Sequence, residues 1–176
     1  MTVTTFEGKR PRIGAGTWVH PSADVFGDVT IGERCWIGPG ARLRGDYGTI
    51  VLGDRCAVED NCVVHARPGE TCTIGSWVTL GHGCVVHNVR GIGDYAVIGM
   101  GSVVSDWAEL GEWAVVAEGA VVPQRAVVPA ASIAAGVPAR ILDRRVDDEF
   151  KVAWRGFKKI YVDLCERYRE GYANEA

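Results

Sequence analysis

A six-residue repeat of aliphatic residues is the feature that most constrains the fold of this chain. Successive anchors are six residues apart except at two places, where Leu43 to Leu52 carries three extra residues and Val64 to Ile74 carries four. A strict period this short indicates a solenoid of stacked coils rather than a layered globular fold. The eighteen anchors are Val19, Val25, Ile31, Ile37, Leu43, Leu52, Val58, Val64, Ile74, Leu80, Val86, Ile92, Ile98, Val104, Leu110, Val116, Val122 and Val128.

The repeat predicts an all-β solenoid in which each hexad is a short strand plus a corner. Three hexads make one coil of a triangular prism, so eighteen anchors give six coils with about 4.8 Å between neighbouring strands. After the repeat, aromatic and aliphatic residues recur three or four apart, which predicts a helix with Asp147 or Asp148 as its N-cap. We therefore divide the chain into a leading segment at 1–18, the repeat at 19–130, a connecting turn at 131–145, and a C-terminal helix and tail at 146–176.

Composition and charge exclude several functional classes. The net charge of −3 and the lack of a basic tract with interleaved aromatics argue against a nucleic-acid partner. No stretch approaches the ~20 apolar residues of a membrane helix. Residues 1–12 contain no apolar run of the kind that a signal peptide needs. These features predict a soluble cytoplasmic protein.

The cysteines follow the repeat instead of a metal or disulfide pattern. Small residues occupy the fourth position after almost every anchor, and four of the six cysteines stand there: Cys35, Cys56, Cys62 and Cys84. We interpret these four as small apolar fillers under the corners. The chain has no CxxC pair, which disfavours zinc-ribbon and thioredoxin-like interpretations.

The phase of the repeat places three histidines. Sorting the hexads by face puts Arg44, His65 and His87 each one residue after stacked anchors, in a column with about 4.8 Å between neighbours. Two nitrogens on one tetrahedral zinc lie roughly 3.3–3.4 Å apart, so His65 and His87 can converge on one ion. His20 falls in another column and is interpreted as an ordinary corner residue.

His82 lies at a different corner, two residues after an anchor of the preceding face. The five residues from His82 to His87 span at most about 16 Å, less around a corner. We therefore expect the third ligand to be His82 of the partner subunit. Copies related by a three-fold axis would form three equivalent sites, so the register predicts a homotrimer with metal between its subunits.

These residues resemble the gamma-class carbonic anhydrases and the related hexapeptide-repeat family over nearly the whole chain. The matching strings are LRGD at Leu43–Asp46, VVHAR around His65, LGHGCVVH at Leu80–His87 and IGMGSVV at Ile98–Val104. The resemblance implies a left-handed parallel β-helix of hexapeptide repeats with a C-terminal α-helix, assembled as a homotrimer. It also implies zinc, or alternatively iron or cobalt, held by His65 and His87 of one subunit and His82 of the next.

The implied activity is the reversible hydration of CO2 to bicarbonate by a metal-bound hydroxide. Arg44 and Asp46 match an arginine–aspartate pair that orients substrate and holds the trimer, and a purely structural ion pair is the alternative. Glu59 stands where the family usually has a glutamine near the metal-bound water. Tyr161 resembles a helix tyrosine that approaches the site, with core packing as its alternative. Glu70, in the short insertion, is a candidate proton shuttle.

Other functions use the same prism. One is acyl transfer from coenzyme A, in which a single histidine acts as general base. Another is metal-dependent hydrolysis of a coenzyme A thioester. A third is a structural subunit that keeps the trimer and the metal but has little activity.

Overall fold

The computed structural model describes residues 2–173 and shows a parallel β-helix with a helix along one side. Two long strands, Asp24–Ile31 and Arg42–Leu52, bend through the corner between the first and second faces. The other strands of the first face are Thr2–Thr4, Val63–His65, Val85–His87, Val103–Val104 and Val121–Val122. Those of the second face are Arg12–Ile13, Thr71–Ile74, Gly91–Ile92, Glu109–Leu110 and Val127–Val128. Those of the third face are Trp18–Val19, Trp36–Ile37, Ala57–Val58, Thr79–Leu80, Val97–Ile98, Val115–Val116 and Ser132–Ala135.

Each face carries seven parallel rungs, so the expected six coils are one too few. The added coil comes from both ends of the repeat. In the leading segment, Val3 pairs with Val25 of the repeat and Ile13 pairs with Ile31. At the far end, Ala134 pairs with Val116. Ten residues separate Val3 from Ile13, and Ala134 is too small to stand out as an anchor. The six-residue pattern therefore does not detect this coil.

Residues 131–145, expected as a connecting turn, form the last rung and a return strand. Ser132–Ala135 continues the third face, and Gly136 reverses the chain with a φ of 95°. Arg140–Arg145 then pairs antiparallel with Ser132–Ala135. All six residues of this return strand are exposed, and most carry charge. Charged side chains on an edge strand discourage pairing with another sheet.

The core consists of the anchors and the small residues under the corners. Leu43, Val64 and Val86 are each at most 1% exposed. The cysteines of the chain are free and buried, so the interpretation of four of them as apolar fillers is confirmed. Since neighbouring strands pair in parallel and in register, residues that stand one position after stacked anchors also lie above one another along the prism.

The C-terminal helix, Asp148–Ala173, packs on the third face. Asp147 is its N-cap, because its Oδ1 accepts a hydrogen bond from the Phe150 N–H at 2.8 Å. Tyr161 packs against Trp36 with ring centroids 5.2 Å apart.

The predicted fold class is confirmed. Within residues 2–173, the helix has no apolar stretch of the length and hydropathy needed to cross a membrane.

One cation is buried between the helix and the third face. Lys158 is 2% exposed, and its Nζ donates to Thr79 Oγ1 at 2.9 Å and to the Ala96 carbonyl at 3.3 Å. Burial lowers the pKa of Lys158 to about 7. Between pH 7 and the ordinary lysine pKa, the unfolded chain therefore binds one proton more than the folded chain, so stability rises with pH in this window.

This linkage predicts the effect of replacing Lys158 with methionine. The free energy of unfolding of the wild type should rise from pH 7 to pH 9 relative to that of Lys158→Met, by roughly 2–3 kcal/mol. Denaturant unfolding at a fixed protein concentration measures this difference. Lys159→Met is the matched control, because Lys159 is exposed on the same helix and should show no such change. Equal pH profiles for wild type and Lys158→Met would show that Lys158 keeps its ordinary pKa.

Candidate functional site

The predicted column of Arg44, His65 and His87 is present on the first face. His87 pairs with His65, and His65 pairs with Arg44, in register across three successive rungs. The two imidazole rings have centroids 5.2 Å apart and are inclined by 45°. Both insertions therefore loop out of the prism without changing the phase of the repeat.

His65 lies between a cation and a carboxylate. Arg44 Nη2 lies 2.9 Å from His65 Nε2, and Asp46 Oδ1 lies 3.2 Å from the same nitrogen. Arg44 Nε also lies 3.4 Å from Asp46 Oδ1. Burial, and next the positive charge of Arg44, lower the pKa of His65. The lowered pKa favours the neutral imidazole, which is the form that binds metals.

His87 is hydrogen-bonded by a residue that the sequence did not single out. Its Nδ1 lies 3.0 Å from Asp106 Oδ1, in the next coil. Asp106 in turn accepts from Arg67 and from Gln124 Nε2, the latter at 3.4 Å. The hydrogen bond from Arg67 is the main reason that the pKa of Asp106 is lowered. Histidine ligands of metal sites usually have such a carboxylate at the ring nitrogen that does not bind the ion.

His82 lies at the opposite edge of the first face and has its own carboxylates. Its Nε2 is 3.2 Å from Glu59 Oε2, and that oxygen also accepts from the His82 N–H at 3.1 Å. Its Nδ1 accepts from the Asp60 N–H at 3.3 Å. The His82 side chain is 45% exposed.

Among residues 2–173 of one chain, no three donors of histidine, cysteine, aspartate or glutamate come together in a metal-binding group.

Glu59 and Tyr161 belong to the His82 side. Glu59 takes a corner position that Gly38, Gly81 and Gly99 take in other coils, and its buried carboxylate lies between the third face and the helix. Burial, followed by the hydrogen bond to Glu59, raises the pKa of Tyr161 well above its usual value. The site residues expected from the sequence therefore form two groups in one chain. Arg44 and Asp46 surround His65, whereas Glu59 and Tyr161 adjoin His82.

The four-residue insertion between Val64 and Ile74, which we call the insertion loop, contacts the His87 side of this arrangement. Glu70 accepts from Trp107 Nε1 at 3.2 and 3.1 Å through its two carboxylate oxygens. The Trp107 ring also contacts the guanidinium groups of Arg67 and Arg125, at 5.4 and 4.4 Å from its centroid. The Trp107 indole therefore holds Glu70, the candidate proton shuttle, by hydrogen bonds. The same indole packs against Arg67, which donates to Asp106.

The outer surface of the first face, between the two histidine edges, is apolar. Four successive rungs present an outward valine in the position before the anchor, and each is only half-exposed. We refer to these residues as the valine stripe: Val63, Val85, Val103 and Val121. The helix contacts the third face at Trp18–Val19, Trp36–Ile37 and Ala57–Val58, so the stripe is an apolar part of the prism surface that the helix leaves uncovered.

Comparison with known proteins gives close relatives over almost the whole chain. No family model matches the sequence. The chain is 36% identical over 172 residues to the carnitine operon protein CaiE of Salmonella agona, an alignment that covers 97% of this chain and 85% of the relative. The chain belongs to the hexapeptide-repeat left-handed β-helix family. With this membership, the left hand of the helix and the resemblance to gamma-class carbonic anhydrase-like proteins are established.

Two solved structures support the same family. A hexapeptide transferase family protein from Anaplasma phagocytophilum is 30% identical, with a TM-score of 0.88 over 95% of this chain and 98% of that one. The BC4754 product of Bacillus cereus, which bears a provisional acetyltransferase name, is 31% identical. It has a TM-score of 0.90 over 94% of this chain and 95% of that one. Family membership and these names indicate an enzyme-related protein without deciding its reaction.

Proposed function

We propose that this chain is a metal-dependent enzyme whose sites form between the subunits of a homotrimer. The observation that carries the proposal is the pairing of His65 with His87 on adjacent rungs, with His82 at the other edge of the same face. Within one chain the pair offers two imidazoles to an ion. A three-fold axis brings His82 of the partner subunit to the third position and repeats the site three times.

The donor set fits a divalent ion such as zinc, iron or cobalt. Neutral imidazoles suit all three metals, and a site with three protein ligands leaves a position for water. Asp106 contacts Nδ1 of His87 at 3.0 Å. His65 Nε2 contacts Arg44 and Asp46 in one chain, so ligation by that nitrogen would replace those contacts. The valine stripe supports the assembly, since a second copy covering it buries apolar surface.

Reversible hydration of CO2 is the reaction that we assign to this site. A bound divalent ion lowers the pKa of water toward neutrality and so supplies a nucleophile. Arg44 places a positive charge beside His65, where it orients the bicarbonate anion, and Asp46 holds that guanidinium. Glu59 offers a buried oxygen acceptor beside His82, and the Tyr161 hydroxyl holds that carboxylate. The buried cysteine thiols suit a reducing compartment, which supports a cytoplasmic location.

Acyl transfer from coenzyme A, or hydrolysis of its thioesters, is the second candidate. The transferase and acetyltransferase names of the two solved structures favour this candidate over carbonic anhydrase. His82 also fits the role of a general base, because it is half-exposed and Glu59 orients it. An apolar cleft runs from His82 past Met100 to Phe150 and Trp154, where an acyl or pantetheine chain could lie.

Metal analysis of anaerobically purified trimer, coupled to three assays, separates these candidates. We expect about one metal ion per chain, CO2 hydration that a chelator abolishes, and recovery with zinc, iron or cobalt. Acetyl transfer, or thioester cleavage with or without metal, in a protein that does not hydrate CO2 would replace the proposed reaction with the second candidate. Full metal occupancy without activity on CO2, thioesters or acetyl acceptors would identify a structural subunit instead.

A further inference from the structure

Asp106, the carboxylate that contacts His87, is buried. Its side chain is 8% exposed at a corner one coil beyond His87. Oδ1 contacts His87 Nδ1 at 3.0 Å and accepts from Arg67 Nε. Oδ2 accepts from Arg67 Nη2 at 3.3 Å and from Gln124 Nε2 at 3.4 Å. Burying a carboxylate is unfavourable unless donors surround it, and these four contacts provide them.

This arrangement sets the proton position on His87. An ionised carboxylate can only accept hydrogen bonds, so the His87 nitrogen that faces it must carry the proton. Nδ1–H therefore points to Asp106, and the lone pair remains on Nε2. His65 differs from His87, because its Nε2 lies 2.9 Å from Arg44 Nη2, which can only donate, and 3.2 Å from Asp46 Oδ1, which can only accept.

We propose that Asp106 is a positioning residue that fixes His87 in the Nδ1-protonated tautomer and aims Nε2 at the metal. The inference rests on the proposed function in so far as His87 is a ligand. Arg67 extends the effect to the insertion loop, because its guanidinium clamps both oxygens of Asp106 and packs on Trp107. The insertion loop therefore restricts the orientation of His87 through Arg67 and Asp106, although the loop itself contributes no ligand.

Asp106→Asn tests this role without depending on activity. In the metal-free trimer, imidazole nitrogen NMR should show one Nδ1-protonated form of His87 in the wild type and a mixture of tautomers in the variant. Asp106→Glu, which keeps the carboxylate, should restore the Nδ1-protonated form. In metal titrations, affinity should fall roughly 10–100-fold in Asp106→Asn, as for other second-shell losses.

Asp94→Asn is the matched control. Asp94 stands at the same hexad position as Asp106, two residues after an anchor, but its Oδ1 accepts from the Ser76 N–H at 2.8 Å, away from the histidines. This control should change neither the tautomer nor the affinity. A mixed His87 tautomer in the wild type, or an Asp106→Asn trimer identical to it, would overturn the inference. A tautomer change in a protein that binds no metal would support the positioning role and refute the metal site.

Discussion

Coexpression of His65→Ala chains with His82→Ala chains will restore metal to about a quarter of the sites, although neither variant holds metal alone. Each proposed site takes His65 and His87 from one copy and His82 from its neighbour. With random mixing at equal amounts, a site is intact when a His82→Ala chain donates the pair and a His65→Ala chain donates His82. These independent chances of about one half multiply to about one quarter.

Each single variant should lose at least about a hundredfold in metal affinity, because loss of a ligand exceeds the usual loss from a second-shell change. Metal content per chain of the purified mixed trimers is the measurement, with CO2 hydration as a second readout. Coexpression of His65→Ala with His87→Ala is the matched control, since both defects lie on the same half of the site and no arrangement repairs them. Mixed trimers of the first pair that hold no metal would eliminate the shared site.

The sequence was sufficient to place the histidine column because a solenoid converts spacing into position. His65 and His87 are 22 residues apart and Arg44 and His65 are 21 apart, yet both pairs are in register. A short fixed period allows no sliding of one coil on another, since a slip of one residue would expose every anchor. Insertions do not disturb this logic when they leave the prism at a corner.

The contacts behind the proposed ligands could not be predicted in the same way. Asp106 reaches His87 from the next coil, and its orientation depends on Arg67, which belongs to an insertion that the repeat does not position. A carboxylate one residue past the histidine column was the available signal. Tyr161 posed a related problem, because helical spacing shows which side of the helix faces the prism. It does not show that this hydroxyl meets Glu59.

The valine stripe should be the surface that holds the trimer together, and Val103→Glu tests it most directly. In the trimer this side chain would enter an apolar contact near the three-fold axis, where three unpaired carboxylates have no water and no partner. We expect single chains at concentrations where the wild type forms the proposed trimer, with an apparent affinity between subunits at least about a thousandfold weaker. The separated chains should also lose their metal, because His82 of the partner subunit is gone.

Val127→Glu supplies the comparison that makes this result specific. Val127 is also an outward valine directly before an anchor, but it lies on the second face and is 62% exposed in one chain. Both substitutions place the same charge at the same hexad position, so their cost to the folded chain should be similar and small. Sedimentation analysis should show trimers for Val127→Glu and single chains for Val103→Glu. Single chains for Val127→Glu and trimers for Val103→Glu would place the subunit contact on the second face. In that assembly His82 of the partner subunit could not reach His65 and His87, so the proposed shared site would be excluded.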